Sequence, residues 1–230
     1  MSLHRGNLFL VGLMGAGKTT LGRQLARRLD KRFIDADHEL EARLGVSIPT
    51  IFELEGETGF RDREEAMIDE LTRMTNVVLA TGGGAVTRPA SRARLKENGT
   101  VLYLHAEPET LWQRLRNSRH RPMLHADDPR HRLVELYQAR DPLYREVADY
   151  VVESDRDAVI RFVRWLDAEP DEVRPDDAPR ADAQAPRVMP GTERASRETE
   201  SVARPDAQPA CVAREAGSAA PETESVPRES

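Results

Sequence analysis

Short apolar, β-branched runs bounded by turn residues recur along the first two thirds of the chain: NLFLVG at 7–12, RFIDAD at 32–37, VVLATGGG at 77–84, VLYLHA at 101–106 and DYVVES at 149–154. Runs of this length and composition predict five strands. Between and after them, apolar positions recur at helical spacing over 18–29, 37–44, 51–74, 90–98, 108–117, 130–145 and 155–167. Strand and helix alternate, and connections of that length favour parallel pairing through right-handed crossovers. The expected result is an α/β fold, a parallel sheet covered by helices on both faces. Ligands of such sheets sit beyond the carboxyl ends of the strands, so chemistry is expected just after each strand.

The periodicity stops after residue 167. Residues 168–230 contain no aromatic side chain, hold 9 of the 15 prolines, and carry 8 Arg against 14 Asp and Glu. A segment so poor in apolar surface cannot offset the entropy of ordering it. It reads as a disordered, acidic, Pro/Ala-rich tail, a solvated extension, with a partner-binding role as the alternative. The folded domain is then 1–167. The tail accounts for the entire net charge of −6, which leaves the domain neutral. A neutral domain argues against a nucleic-acid partner. No apolar run approaches the roughly 18–20 residues that span a bilayer, so no membrane partner is expected. The N-terminus runs into a strand without an apolar signal core, which points to the cytoplasm. Cys211 is the single cysteine, too few for a disulfide or a cysteine zinc site.

The chemistry lies where the topology expects it. Gly12 to Thr19 reads GLMGAGKT, the full GxxxxGK[ST] pattern, between the first strand and an amphipathic helix. Glycines let successive N–H groups curl around a phosphate chain, with Lys18 on the β and γ phosphates and the Thr19 hydroxyl on magnesium. After the second strand, Asp35 and Asp37 are spaced to point the same way if the strand persists, one toward a metal and one toward an acceptor hydroxyl. Asp37 is equally an N-cap candidate for the following helix. Three successive glycines, Gly82, Gly83 and Gly84, end the third strand and permit close backbone approach to a ligand. Arginine supplies 31 of the 34 basic residues. Arg61 and Arg140 stand out only by their neighbours, and either fits an exposed helical pair, such as Arg61 with Glu65. The basic run 116–125 reads as a phosphate-covering lid, and His120, His125 and His131 read as solvated rather than metal-ligating.

Taken together, GLMGAGKTT, FIDAD, IFELEGETGFRDRE, VVLATGGG, RPML and ARDPLY, in this order and at these intervals, closely resemble the shikimate kinase family. The resemblance covers about residues 5–167. It implies a P-loop kinase fold of the nucleoside-monophosphate-kinase type: a five-stranded parallel sheet in the order 2-3-1-4-5, a substrate-binding segment about 35–65 and a mobile lid about 116–130. It further implies a cytoplasmic monomer that uses ATP and one Mg2+ to phosphorylate the 3-hydroxyl of shikimate, a step toward chorismate and the aromatic amino acids. Carried over by position, Gly15, Ala16, Gly17, Lys18, Thr19 and Thr20 hold ATP, and Thr19 and Asp35 attend the metal. Asp37 binds the acceptor hydroxyls and takes the proton. Arg61, Arg140 and the glycines 82–84 hold the rest of the substrate. Arg121 swings in with the lid toward the γ-phosphate, Arg114 lies against the adenine, and Arg156 is a further adenine contact. Met123 replaces the leucine more usual in RPLL, a volume-conserving exchange. Two alternatives remain: a gluconate kinase-like enzyme, and a non-catalytic nucleotide-binding module.

Overall fold

The computed structural model describes residues 6–116, 128–168 and 187–188. Its elements run β1 (Asn7–Val11), α1 (Lys18–Arg28), β2 (Arg32–Asp35), α2 (Ala36–Leu44), α3 (Ile48–Thr72), β3 (Val77–Ala80), a 3-10 turn (Ala85–Thr87), α4 (Pro89–Asn98), β4 (Gly99–His105), α5 (Pro108–Leu115), α6 (Pro129–Val147), β5 (Tyr150–Glu153), α7 (Arg156–Ala168) and β6 (Arg187–Val188). All strand pairs are parallel, in the order β2-β3-β1-β4-β5-β6. The first five strands take the expected order 2-3-1-4-5. The sixth corrects the expectation for two residues of the tail: Arg187 and Val188 pair with Tyr150 and Val151 and extend the sheet edge.

Helices cover both faces of a parallel sheet, so its strands read as continuous apolar runs rather than alternating ones. Leu8, Phe9, Leu10 and Val11 of the central strand are wholly enclosed, as are Val78, Leu79, Val101 and Leu102 beside them. Truncating a side chain so placed, Leu10 for instance, costs about 2–5 kcal/mol. Helix α1 turns Leu21, Gly22 and Leu25 inward. At Gly22 a methyl group would lie 2.5 Å from the Phe33 ring, so the small residue sets how closely α1 approaches the sheet.

Asn7 ties the lower end of the sheet together. Its side-chain amide donates to the carbonyls of Thr72, Met74 and Asn98, and its Oδ1 accepts from the Val77 N–H. One residue thereby satisfies the ends of α3, β3 and α4.

Two caps separate α2 from α3. Gly45 ends α2 in the left-handed conformation, and Ser47 opens α3 by accepting from the Thr50 N–H at 3.4 Å. The helical spacing over 51–74 predicts one continuous helix. Instead α3 bends at Gly56, whose φ of 70° and ψ of −173° break the helical path. The bend brings Arg63 back onto Glu55 as a two-pronged pair at 2.7 and 2.6 Å, a contact that a straight helix does not offer residues eight apart. It also lets the first part of α3, with Ile48, Pro49 and Phe52, line the cavity that the second part furnishes with charge.

Candidate active site

Between β1 and α1 the glycine-rich loop takes the conformation its sequence requires. Gly12, Gly15 and Gly17 all have positive φ, at 139°, 80° and 97°. At Gly12 a side chain is doubly excluded, since a methyl group would also meet the Leu104 carbonyl oxygen at 2.6 Å. Gly17 is the N-cap of α1, so the helix N-terminus faces the loop interior. The Lys18 ammonium donates to the carbonyls of Gly12 and Leu13 at 2.7 and 3.0 Å, which holds its charge over the loop. Ala16 within the loop is buried, and Thr20 is exposed in the first turn of α1.

The Thr19 hydroxyl donates to Asp35 Oδ2 at 2.7 Å. Strand β2 ends at Asp35, so the two aspartates do not alternate along a continuing strand as the spacing suggests. Asp35 is itself the N-cap of α2, accepting from the His38 N–H at 3.4 Å, and Asp37 lies in the first turn. The capping role expected of Asp37 thus belongs to Asp35, and Asp37 turns toward the glycine loop after β3.

That loop forms one side of a cavity of about 280 Å3, whose charged lining is Asp37, Glu41, Arg61, Glu64 and Arg140. Met14 of the phosphate loop also lines it, so the cavity adjoins the nucleotide loop. Its apolar wall includes Phe52 and Phe60, with ring centroids 4.7 Å apart. A larger cleft of about 420 Å3 shares Asp37 and Glu41 with it and extends along β2 past Asp35, Arg23 and Phe33. It lacks the glycine loop and the buried arginines, so the chemistry converges on the smaller cavity.

Arg61 and Arg140 are 6% and 5% exposed, which removes the reading of either as a surface pair. Arg61 donates to Glu64 at 2.5 Å and to Glu57 at 3.2 Å, while Glu65 turns instead toward Arg88. Arg61 also stacks its guanidinium over Phe60, 5.1 Å from the ring centre. Arg140 donates to the Gly83 carbonyl at 3.2 Å, and the buried Tyr144 hydroxyl donates to the same oxygen. Burial draws the Arg61 guanidinium down, but Glu64 and Glu57 outweigh it and its pKa ends above the ordinary value. Burial lowers that of Arg140. The Glu64 carboxyl is pushed up, chiefly by burial and against the pull of Arg61.

The structure brings together Lys18, Thr19 and Asp35 at one end of the site, and Asp37, Arg61, Gly82, Gly83, Gly84 and Arg140 at the other. Arg114 joins the phosphate loop to the turn after β5: it donates to the Gly15 carbonyl at 3.3 Å and to the Ser154 hydroxyl at 2.8 Å. Arg156 is exposed at the start of α7, just beyond Ser154. Arg121, with His120, Met123 and His125, lies outside the described residues; His131 is exposed. Glu64 in the cavity lining and Tyr144, buried behind it on the Gly83 carbonyl, are two residues of the site that sequence reasoning missed. The signals were the three-residue spacing of Arg61 and Glu64, and the four-residue spacing of Arg140 and Tyr144, each placing two side chains on one helix face.

A profile of the shikimate kinase family matches residues 14–169. A shikimate kinase of Burkholderia lata is 61% identical over 160 residues, covering 70% of this chain and 87% of that protein. One from Cupriavidus pinatubonensis is 59% identical over 166 residues, covering 72% and 86%. Among solved structures, the shikimate kinase of Acinetobacter baumannii in complex with shikimate superposes with a TM-score of 0.69 at 45% identity, covering 73% of this chain and 96% of that one. Phosphate loop, arginine-lined cavity and relatives agree: this chain belongs to the shikimate kinase family.

Proposed function

We propose that this chain transfers the γ-phosphoryl group of ATP to the 3-hydroxyl of shikimate. The observation that carries the reading is the cavity beside the phosphate loop, where two buried arginines and a glycine turn face a carboxylate, Asp37. A small polyol bearing one carboxylate needs paired guanidinium donors for the acid and a positioned base for the hydroxyl.

Asp37 orients the acceptor hydroxyl and takes its proton as the new P–O bond forms. Arg61 and Arg140 grip the carboxylate, and the glycines let the ring lie against backbone. Lys18 and the α1 N-terminus bind the phosphates, with Arg114 and Arg156 on the adenine side and Arg121 reaching the γ-phosphate from the lid. The Thr19 hydroxyl and Asp35 carboxylate, already 2.7 Å apart, are a hard oxygen pair suited to Mg2+. They would hold an ion that neutralises charge on the β and γ phosphates. Among the described residues no helix is long and apolar enough to cross a membrane.

A coupled assay of ADP release with magnesium-ATP and shikimate, quinate, gluconate or a nucleoside monophosphate tests the reading. Turnover is expected with shikimate alone. Turnover with gluconate or a nucleotide in its place would overturn it.

A further inference from the structure

Glu64 is 4% exposed, and no step of the transfer described above uses it. Its Oε2 accepts from Arg61. Its Oε1 is buried with no hydrogen-bond partner among the described residues. That oxygen abuts Gly82 at the spot where Asp37 Oδ1 also arrives: a methyl group built on Gly82 would strike both carboxylates. The groups facing Glu64 are Arg61 from α3, with Glu57 beyond it, Asp37 from α2, and Arg140 and Tyr144 from α6. The charged lining of the cavity, Asp37, Glu41 and Glu64 against Arg61 and Arg140, already holds three acids and two bases.

An anionic acceptor adds to that excess of acid. It brings a fourth carboxylate to the cavity and competes with Glu64 for the Arg61 guanidinium. The cheapest relief is to neutralise the acid that is already most poorly solvated and half unpartnered. We infer that Glu64 takes up a proton when the acceptor binds, releasing Arg61 from its internal carboxylate to the carboxylate of the substrate. The proton comes from the buffer, Glu64 becomes a neutral carboxylic acid, and no other bond changes. Protonated at Oε1, it gains a donor for the oxygen that lacks a partner, and Asp37 keeps its charge. This inference rests on the proposed anionic acceptor, and burial already shifts Glu64 in the required direction.

The sign of the pH dependence follows. Binding favours the protonated acid, so affinity is greatest at low pH. It falls by up to about tenfold per pH unit once the pH rises above the Glu64 pKa of the free protein, until it passes that of the complex.

The test is calorimetric titration of the full chain with shikimate at one pH, in buffers of different ionisation enthalpy. The expected heat varies linearly with buffer enthalpy, corresponding to an uptake of more than about half a proton per bound shikimate. In Glu64→Gln the dependence should vanish. A buffer-independent heat in the unaltered chain, or an undiminished slope in Glu64→Gln, overturns the inference while leaving the acceptor reading intact. No binding of shikimate at all refutes the acceptor reading, and this inference with it. If Glu64→Gln fails to fold or bind, the infrared difference spectrum of the unaltered chain with and without shikimate decides. A new protonated-carboxyl band is expected, and its absence is contrary.

Discussion

Gly84→Ala gives a sharp test of how the cavity is built. Gly84 has φ −102° and ψ −4°, a conformation that alanine adopts without strain, so any effect must come from the added methyl group. That methyl would lie inside the Arg61 guanidinium. A flexible arginine on the surface would move aside at little expense. Arg61 is 6% exposed, paired with Glu64 and Glu57, and stacked on Phe60, so it can move only by giving up a pairing or by entering the cavity. Losing one charge-assisted hydrogen bond costs about 1.5–3 kcal/mol, or roughly 10- to 150-fold in the shikimate KM. The ATP KM should change by less than about threefold, because the phosphate loop is untouched. Gly83→Ala is the internal control: its methyl would find the Met14 nitrogen at 3.4 Å and the Arg140 guanidinium at 3.9 Å, with no contact to Arg61 among the three nearest atoms. It should raise the shikimate KM by less than Gly84→Ala does. Initial rates over a range of shikimate at saturating magnesium-ATP measure both. A Gly84→Ala enzyme with an unaltered shikimate KM would show that Arg61 is not held as described.

Asp37→Asn should lower turnover by about 10² to 10⁴ with nucleotide affinity nearly intact, as loss of a general base does; near-normal turnover would remove Asp37 from the mechanism. Arg61→Lys and Arg140→Lys keep the charge but lose the paired donors, and each should raise the shikimate KM by about tenfold or more; unchanged constants would exclude a carboxylate-bearing acceptor. Asp35→Ala removes both the α2 N-cap and the partner of Thr19. It should destabilise the fold by about 1 kcal/mol and raise the magnesium concentration needed for half-maximal rate, and an unchanged magnesium requirement would free Asp35 of that role. Deleting residues 169–230 removes a two-residue pairing, so thermal unfolding should report a loss of at most about 1–2 kcal/mol with shikimate kinetics unchanged. A larger loss would mean that more of the tail packs on the domain.

The elements of the domain were legible because a sheet covered on both faces writes continuous apolar runs into its strands, and its ligand loops fall after them. The phosphate loop was legible for a different reason, since its glycines and Lys18 answer a backbone requirement that few sequences satisfy by chance. The arginines were not. A helical Arg61 with acids at 57, 64 and 65 reads like a solvated pair, and only tertiary burial distinguishes it from one. Glu64 was obscured in the same way. The change from strand to helix between Asp35 and Ala36, the bend at Gly56 and the pairing of Arg187–Val188 each turn on a local choice of one or two residues. Periodicity over longer windows averages such choices away.

Asn7 bears on the order in which the chain can assemble. Its hydrogen bonds close loops of 65, 67, 70 and 91 residues at a single side chain, and β1 finds its neighbours only in β3 and β4. Contacts so distant in sequence form after the local helices, and high contact order slows folding. As the chain leaves the ribosome, the enclosed residues Leu8 to Val11 must therefore wait for β4 to emerge before the centre of the sheet can close. Throughout that interval the most apolar strand is the least protected, which makes the first hundred residues the stretch on which a chaperone would have most to hold.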